Sequence, residues 1–550
     1  MNLYFKKWIV LALLATTMFT VGWYVGTDSM YFKINKSLEV FGAVFREVSQ
    51  NYVDDVDPET MIRSGMDGML NNLDPYTVYM DQEEYGDFDS QINGVYVGFG
   101  IQAGTVDSML TITGVTDGYS ASRNGVRIGD RIVMIDSVNT LKLTSKELRK
   151  YTRGEKRSMA IVRFLRDGLK DTITLTLTRE EITMKSVSYL GIVNNETGYI
   201  KLDRFSRRSA QEIRDAVDSL NRSGVKNFIL DLRGNPGGLL DAAISICESF
   251  VPYQSIIVTT KGRYNAEGKV YTSSSYPYEG DKPLAILIDK SSASASEVVA
   301  GAIQDLDRGI VIGEQSFGKG LVQSSYPMPY NGSLKITTQK YYTPSGRCIQ
   351  KVDYLKKRMG KNTDASMVKT FYTTNRRPVV DASGIIPDST IKPHDVTPFV
   401  QQLTDRGLIF RFANEYAATY QNLPANFNAN SLVDEVEKFA QKSKFSFEST
   451  AQKKLEELKK SLQDEKATKE VLKQVDDTEK ILQAEHTKQF KIHSKQIVAE
   501  LDREIRSRFQ STKAQFIAEL KTDDVVNRTC EILRSESYRA LLRTPTYTKH

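Results

Sequence analysis

Apolar positions change their spacing several times along the chain. Residues 8–26, between Lys6-Lys7 and Thr27-Asp28, carry no charge and are long enough to cross a hydrocarbon core as a helix. Basic residues on the short leading side predict that this end stays in the cytoplasm and the remainder is exported. A cleaved signal peptide is the competing reading, although no clear A-x-A site follows the run. Leu38, Phe41, Val44, Phe45 and Val48 then recur at helical spacing, and a second helix is expected over 61–70, together a small helical cap.

From residue 91 to 179 the period shortens. VYVGFGI, MLTITGV, DRIVMID, MAIVRFL and DTITLTL read as strands parted by glycine turns, with one helix at 145–151. From 186 to about 393 apolar strands alternate with helical stretches. The order is GYIKL, a helix at 210–223, FILDL, a helix at 239–250, SIIVTT, LAILI, a helix at 296–306, and GIVIG. That is an α/β pattern around a largely buried sheet. Beyond 398 the periodicity is helical and rich in Lys and Glu, the usual signature of a solvated helix face, with a dedicated binding surface as the alternative. The expected division is an anchor at 1–30, a helical cap at 31–90, a β-rich domain at 91–181, an α/β core at 182–395 and a helical region at 396–550.

Composition narrows the chemistry. The 550 residues carry 74 basic and 68 acidic side chains, a net charge of +6, so charge does not suggest nucleic acid. Cys247, Cys348 and Cys530 lie far apart, which excludes a disulfide framework and any CxxC site while leaving one pair open. All four histidines, His394, His486, His493 and His550, fall after the α/β pattern. A Ser-His-Asp triad, a Cys-His dyad and histidine-ligated zinc are therefore excluded from it, and no metal or cofactor is expected.

Three segments carry candidate chemistry. LAILIDKSSASASEVVAGAIQDL runs from a buried strand through a serine-rich turn into a helix, with Ser294 at the turn, where unpaired N–H groups can receive an oxyanion. Simple N-capping by Ser292, Ser294 or Ser296, with Glu297 close behind, explains the same letters. GEQSFGKGLVQSSY sets Lys319 between two glycines; as a base it would have to be held about three units below its ordinary pKa near 10.4 by burial. A loop lysine at the surface is the plain alternative. DLRGNPGG, residues 231–238, offers backbone N–H groups at Gly237 or Gly238, with Ala295 as a second donor, or is merely a tight strand-to-helix turn.

In this order the segments resemble the carboxyl-terminal processing (tail-specific) proteases, Ser-Lys serine peptidases, over residues 37–388. The S-A-S-A-S-E and F-G-K-G segments of that family fall on Ser294 as nucleophile and Lys319 as general base; Gln323, four residues on, would orient the lysine. YYTPSGRCIQ and GIIPD also match, with Cys348 where the family commonly has serine. VGFGI followed by GYSASRNGVRIGDRIVMID resembles a PDZ domain, whose loop, here Gly98, Phe99, Gly100 and Ile101, would receive a peptide's terminal carboxylate. The resemblance implies a crotonase-like α/β protease core with an inserted PDZ domain, acting on polypeptides with free C-termini, and the apolar run at 8–26 adds the expectation of a single-pass membrane anchor with the catalytic part in the periplasm. A homo-oligomer is compatible with it. The rivals are an acyl-CoA enzyme, which an export signal and a PDZ domain argue against, and a non-catalytic PDZ scaffold, which would not need both Ser294 and Lys319.

Overall fold

The structure, a computed structural model, describes residues 30–278, 281–360, 368–392, 396–486 and 488–543. The apolar run at 8–26 lies outside them, and among the described residues no helix is long and apolar enough to cross a membrane. The chain divides into two units, one of residues 1–82, 323–337 and 354–362, the other of residues 83–322, 338–353 and 363–550.

In the first unit a helix spans 30–51. The apolar stripe predicted there forms a helix face, but Leu38, Phe41 and Val44 remain exposed. A second helix, Pro58–Asn71, starts where Asp57 accepts from Glu59 and Thr60 N–H groups and Pro58 fills the first turn. Strand Val78–Met80 runs antiparallel to residues 333–335.

The second unit opens on the β-rich segment. Strands Ile101–Val106, Met109–Val115, Arg131–Ile135, Met159–Leu165 and Ile173–Thr178 form an antiparallel sheet in that order. It closes on Ile112, Ile132, Val162, Phe164 and Leu177. Helix Ser145–Thr152 begins with a Thr144/Glu147 capping box. VYVGFGI, expected as one strand, is two. Val95–Gly98 pairs with Glu180–Thr183, while Ile101–Val106 enters the larger sheet. Gly100 makes the break: its φ of +81 is left-handed, and a Cβ there would lie 2.8 Å from the Tyr119 Cβ.

The α/β core follows. Strands Val187–Val193, Thr197–Leu202, Asn227–Asp231, Leu284–Ile288, Ile310–Gly313 and Ser389–Thr390 lie side by side, antiparallel in the first pair and parallel thereafter. NFILD, LAILI and IVIG are buried throughout, as parallel strands covered on both faces must be. One face carries helices Ser209–Arg222, Leu240–Cys247 and Ala295–Asp305. SIIVTT does not join this sheet. Strand Ile256–Gly262 pairs instead with Asn265–Thr272 in a hairpin and with residues 339–342, because the antiparallel partner follows it directly in the chain.

The helical region has its own core of Phe399, Leu403, Ile409, Phe412, Val436, Ile497 and Leu501. Helix Thr450–Asp464 buries nothing. The last helices differ: Leu520, Val525, Val526, Cys530, Ile532, Leu533 and Tyr538 pack on Tyr199, Ile229, Leu287 and Ile312, the second face of the core sheet. All three cysteines are free.

Candidate active site

The three turns of the site hang from the C-terminal ends of the parallel strands, where ligands of open α/β sheets bind. Strand Asn227–Asp231 leads into the turn 232–239, strand Leu284–Ile288 into the serine turn, and strand Ile310–Gly313 into the loop that carries Lys319.

Ser294 precedes helix Ala295–Asp305 with φ 56° and ψ −114°. A non-glycine residue there is strained by about 1–3 kcal/mol, so its surroundings must hold it. They do so mainly through Glu297, which is fully buried. One carboxylate oxygen accepts from the Ser294 N–H at 2.7 Å and the Lys319 N–H at 2.9 Å. The other accepts from the Ser316 hydroxyl at 2.6 Å and the Gly318 N–H at 2.7 Å. Burial pushes the Glu297 carboxyl up, and these four hydrogen bonds pull against it. Buried Tyr341 adds a second tie, its hydroxyl 2.5 Å from the Lys319 carbonyl and 3.0 Å from the Ser294 carbonyl. One carboxylate and one phenol thus hold both residues by their backbones. Ser294 and Lys319 are each half-buried.

The glycine pair packs under this turn. A Cβ on Gly237, whose φ is +102, would stand 2.7 Å from the Ala293 carbonyl and 2.9 Å from the Ser294 Cβ, so no side chain fits. The Gly237 N–H, however, already donates to Asn235 Oδ1 at 2.9 Å. Those of Gly238 and Ala295 are engaged by no described residue. Gly238 lies against Phe205 in a parallel bridge. Gln323 falls in the other unit, where its amide donates to Thr337 Oγ1 at 3.2 Å. In the β-rich segment Phe99 is buried beneath the Arg179 guanidinium, and the Phe99 and Gly100 carbonyls accept from Ala121 and Thr116.

In the sequence Glu297 reads only as a capping residue, signalled by the S-x-x-E spacing, while Asp231, Asn235 and Tyr341 fall within DLRGNPGG and YYTPSGRCIQ without a role of their own. Their roles are set by what the fold brings to them. Asp231 is buried and accepts from Tyr199 at 2.6 Å and from Arg233, which also donates to Asp523 at 2.7 Å. Burial pushes the Asp231 carboxyl up, yet Lys201, Arg233 and the hydrogen bonds from Arg233 and Tyr199 outweigh it and hold it down to about 2.

Residues 196–355 match the model of peptidase family S41, residues 399–533 that of the probable PDZ-protease C-terminal helical domain, and residues 25–84 that of the N-terminal domain of the activating protease CtpB. A carboxy-terminal-processing protease of Bartonella bacilliformis is 35% identical over 319 residues, covering 57% of this chain and 73% of that protein. Carboxy-terminal processing protease CtpA of Bacillus subtilis is 31% identical over 325 residues, 59% of this chain and 67% of its own length. These matches define a serine-type peptidase with an α/β core and a helical C-terminal domain. The chain belongs to peptidase family S41, among the carboxy-terminal processing proteases.

Proposed function

We propose that the protein is a Ser-Lys endopeptidase that cuts exported proteins near their C-termini, with Ser294 as nucleophile and Lys319 as general base. The observation that carries this reading is the shared carboxylate of Glu297, which receives the N–H groups of both residues and ties the two turns together. In the reaction the neutral Lys319 amine takes the Ser294 hydroxyl proton as the oxygen attacks the scissile carbonyl. The N–H groups of Ala295 and Gly238 meet the oxyanion. The lysine then returns the proton to the leaving amine, and water releases the acyl group by the same route. Gln323 is retained from the family resemblance as the residue that orients Lys319.

Residues 91–181 act in this reading as a PDZ domain that recruits substrates. Strand Ile101–Val106 stands first in its sheet and pairs with Met109–Val115, leaving an edge beside helix Ser145–Thr152 for a peptide strand. The terminal carboxylate would meet the backbone of Gly98, Phe99, Gly100 and Ile101. The run at 8–26 anchors the enzyme with its catalytic part outside the cytoplasm. The division into cap, PDZ domain, crotonase-like core and helical region follows the boundaries read from the sequence.

Incubating purified protein with an unstructured substrate tests the assignment. Ser294→Ala and Lys319→Ala should each abolish cleavage while melting remains cooperative. Cleavage surviving in Ser294→Ala would place the nucleophile elsewhere.

A further inference from the structure

The turn that carries Gly237 and Gly238 is tied to the helical region, and we propose that Asp523 is a positioning residue for that turn. The inference deepens the reading of Ser294 as nucleophile and rests on it.

Asp523 uses its two oxygens differently. Oδ1 accepts from the Val526 N–H at 3.1 Å and caps helix Asp524–Arg534, while Oδ2 accepts from Arg233 Nη2 at 2.7 Å. The helix is fixed on the core sheet by buried Val525, Val526, Cys530 and Leu533, so the carboxylate has a set position. Arg233 also donates to Asp231 Oδ2 at 2.5 Å, and its guanidinium is thus held between two carboxylates.

From Arg233 the ties run to the nucleophile within a few residues. The Arg233 N–H donates to Asp231 Oδ1 at 2.8 Å, and the Lys201 ammonium donates to the Arg233 carbonyl. The Gly234 N–H donates to Asp289 Oδ1 at 3.0 Å, and so does the Ser292 N–H. The Ser292 hydroxyl donates to the Leu232 carbonyl at 2.8 Å. The Asn235 carbonyl accepts from the Ala293 N–H at 3.1 Å and the Ser296 hydroxyl at 2.9 Å. Gly237 then packs on Ser294 with no room for a side chain.

A cavity of about 580 Å³ explains why the outer carboxylate matters. Asp231, Arg233, Gly234, Phe516, Glu519 and Leu520 are among its walls. Without Asp523 the Arg233 guanidinium has one carboxylate left and open space beside it. The turn loses its outer anchor, and the donors to the oxyanion lose their fixed aim. A misplacement of that kind costs rate and not ground-state binding.

The test is Asp523→Ser, because serine keeps the helix cap and is too short to reach Arg233. On a peptide with a free C-terminus, kcat should fall by about tenfold while KM stays within about twofold. The melting temperature should stay within about 2 °C of the parent. An unchanged kcat, or a loss that tracks a lowered melting temperature, overturns the positioning role. Ser294→Ala is measured alongside. If it is inactive and Asp523→Ser is fully active, the positioning role alone fails; if Ser294→Ala still cleaves, the nucleophile assignment fails and the positioning role falls with it.

Discussion

Asp231 is the residue whose environment makes a pH prediction. Its carboxyl is held down to about 2, below its ordinary 3.8, by Lys201, Arg233 and the Tyr199 hydroxyl acting against burial. Below the ordinary value the unfolded chain binds a proton that the folded protein does not, so stability drawn from Asp231 is fully present above about pH 4 and is lost as pH falls through about 2. The shift corresponds to something on the order of 2 kcal/mol. Asp231→Asn lacks this term. The parent should therefore melt above Asp231→Asn at neutral pH, with a gap that narrows between about pH 4 and pH 2. Differential calorimetry of the two proteins measures it, and a gap that ignores pH would show that Asp231 gains nothing from its ionised form. At this scale the sequence displayed Ser294, Lys319 and the glycines because turns demand particular residue types. It did not display that Asp231 meets Tyr199 and Lys201 of the neighbouring strand, or that Arg233 beside it meets Asp523, nearly three hundred residues away.

Among elements, the passage from strand Val95–Gly98 into strand Ile101–Val106 sets the proposed peptide site. Gly100 turns the chain with a left-handed φ against Tyr119, so Gly100→Ala brings a Cβ to 2.8 Å from the Tyr119 Cβ as well as a backbone strain of about 1–2 kcal/mol. The loop must shift. Under the recruitment reading, KM for peptides with a free C-terminus should rise by about tenfold. Labelling of Ser294 by a small serine-directed phosphonylating reagent should keep its rate. A variant with normal KM, or amidated and free-acid peptides cut with equal kcat/KM, would remove the loop from substrate selection. Periodicity marked most strands of this segment, most plainly Met159–Leu165 and Ile173–Thr178, where more and less buried positions alternate. It could not divide VYVGFGI, because two short strands in different sheets share one run of apolar letters. SIIVTT reads like a core strand but forms a hairpin with Asn265–Thr272, because which partner a strand takes is not encoded in its own letters.

For the whole molecule, the final helices are part of the core and not an appendage. Leu520, Val525, Val526, Ile532 and Leu533 are buried against the sheet. At about 1.5–3 kcal/mol each, their burial is comparable to the 5–15 kcal/mol that holds an ordinary domain together. A chain ending at residue 511 should accordingly collect as insoluble protein or lack a cooperative melt by circular dichroism. A soluble truncated protein that melts like the parent would show that the sheet stands without this cover. The sequence by itself determined the α/β alternation, the strand-to-helix turns, the absence of histidine before residue 394 and the segments that carry the family resemblance. These depend on residue type at fixed spacing, which local sterics and hydrogen bonding enforce. Only the tertiary structure decided that Glu297 and Tyr341 clamp the serine and lysine turns, that the Gly237 N–H is already committed, and that the charged helices fold back to bury one face of the sheet. Each of these joins groups far apart in the chain, and burial, pairing and charge compensation become definite only once the packed fold has brought them together.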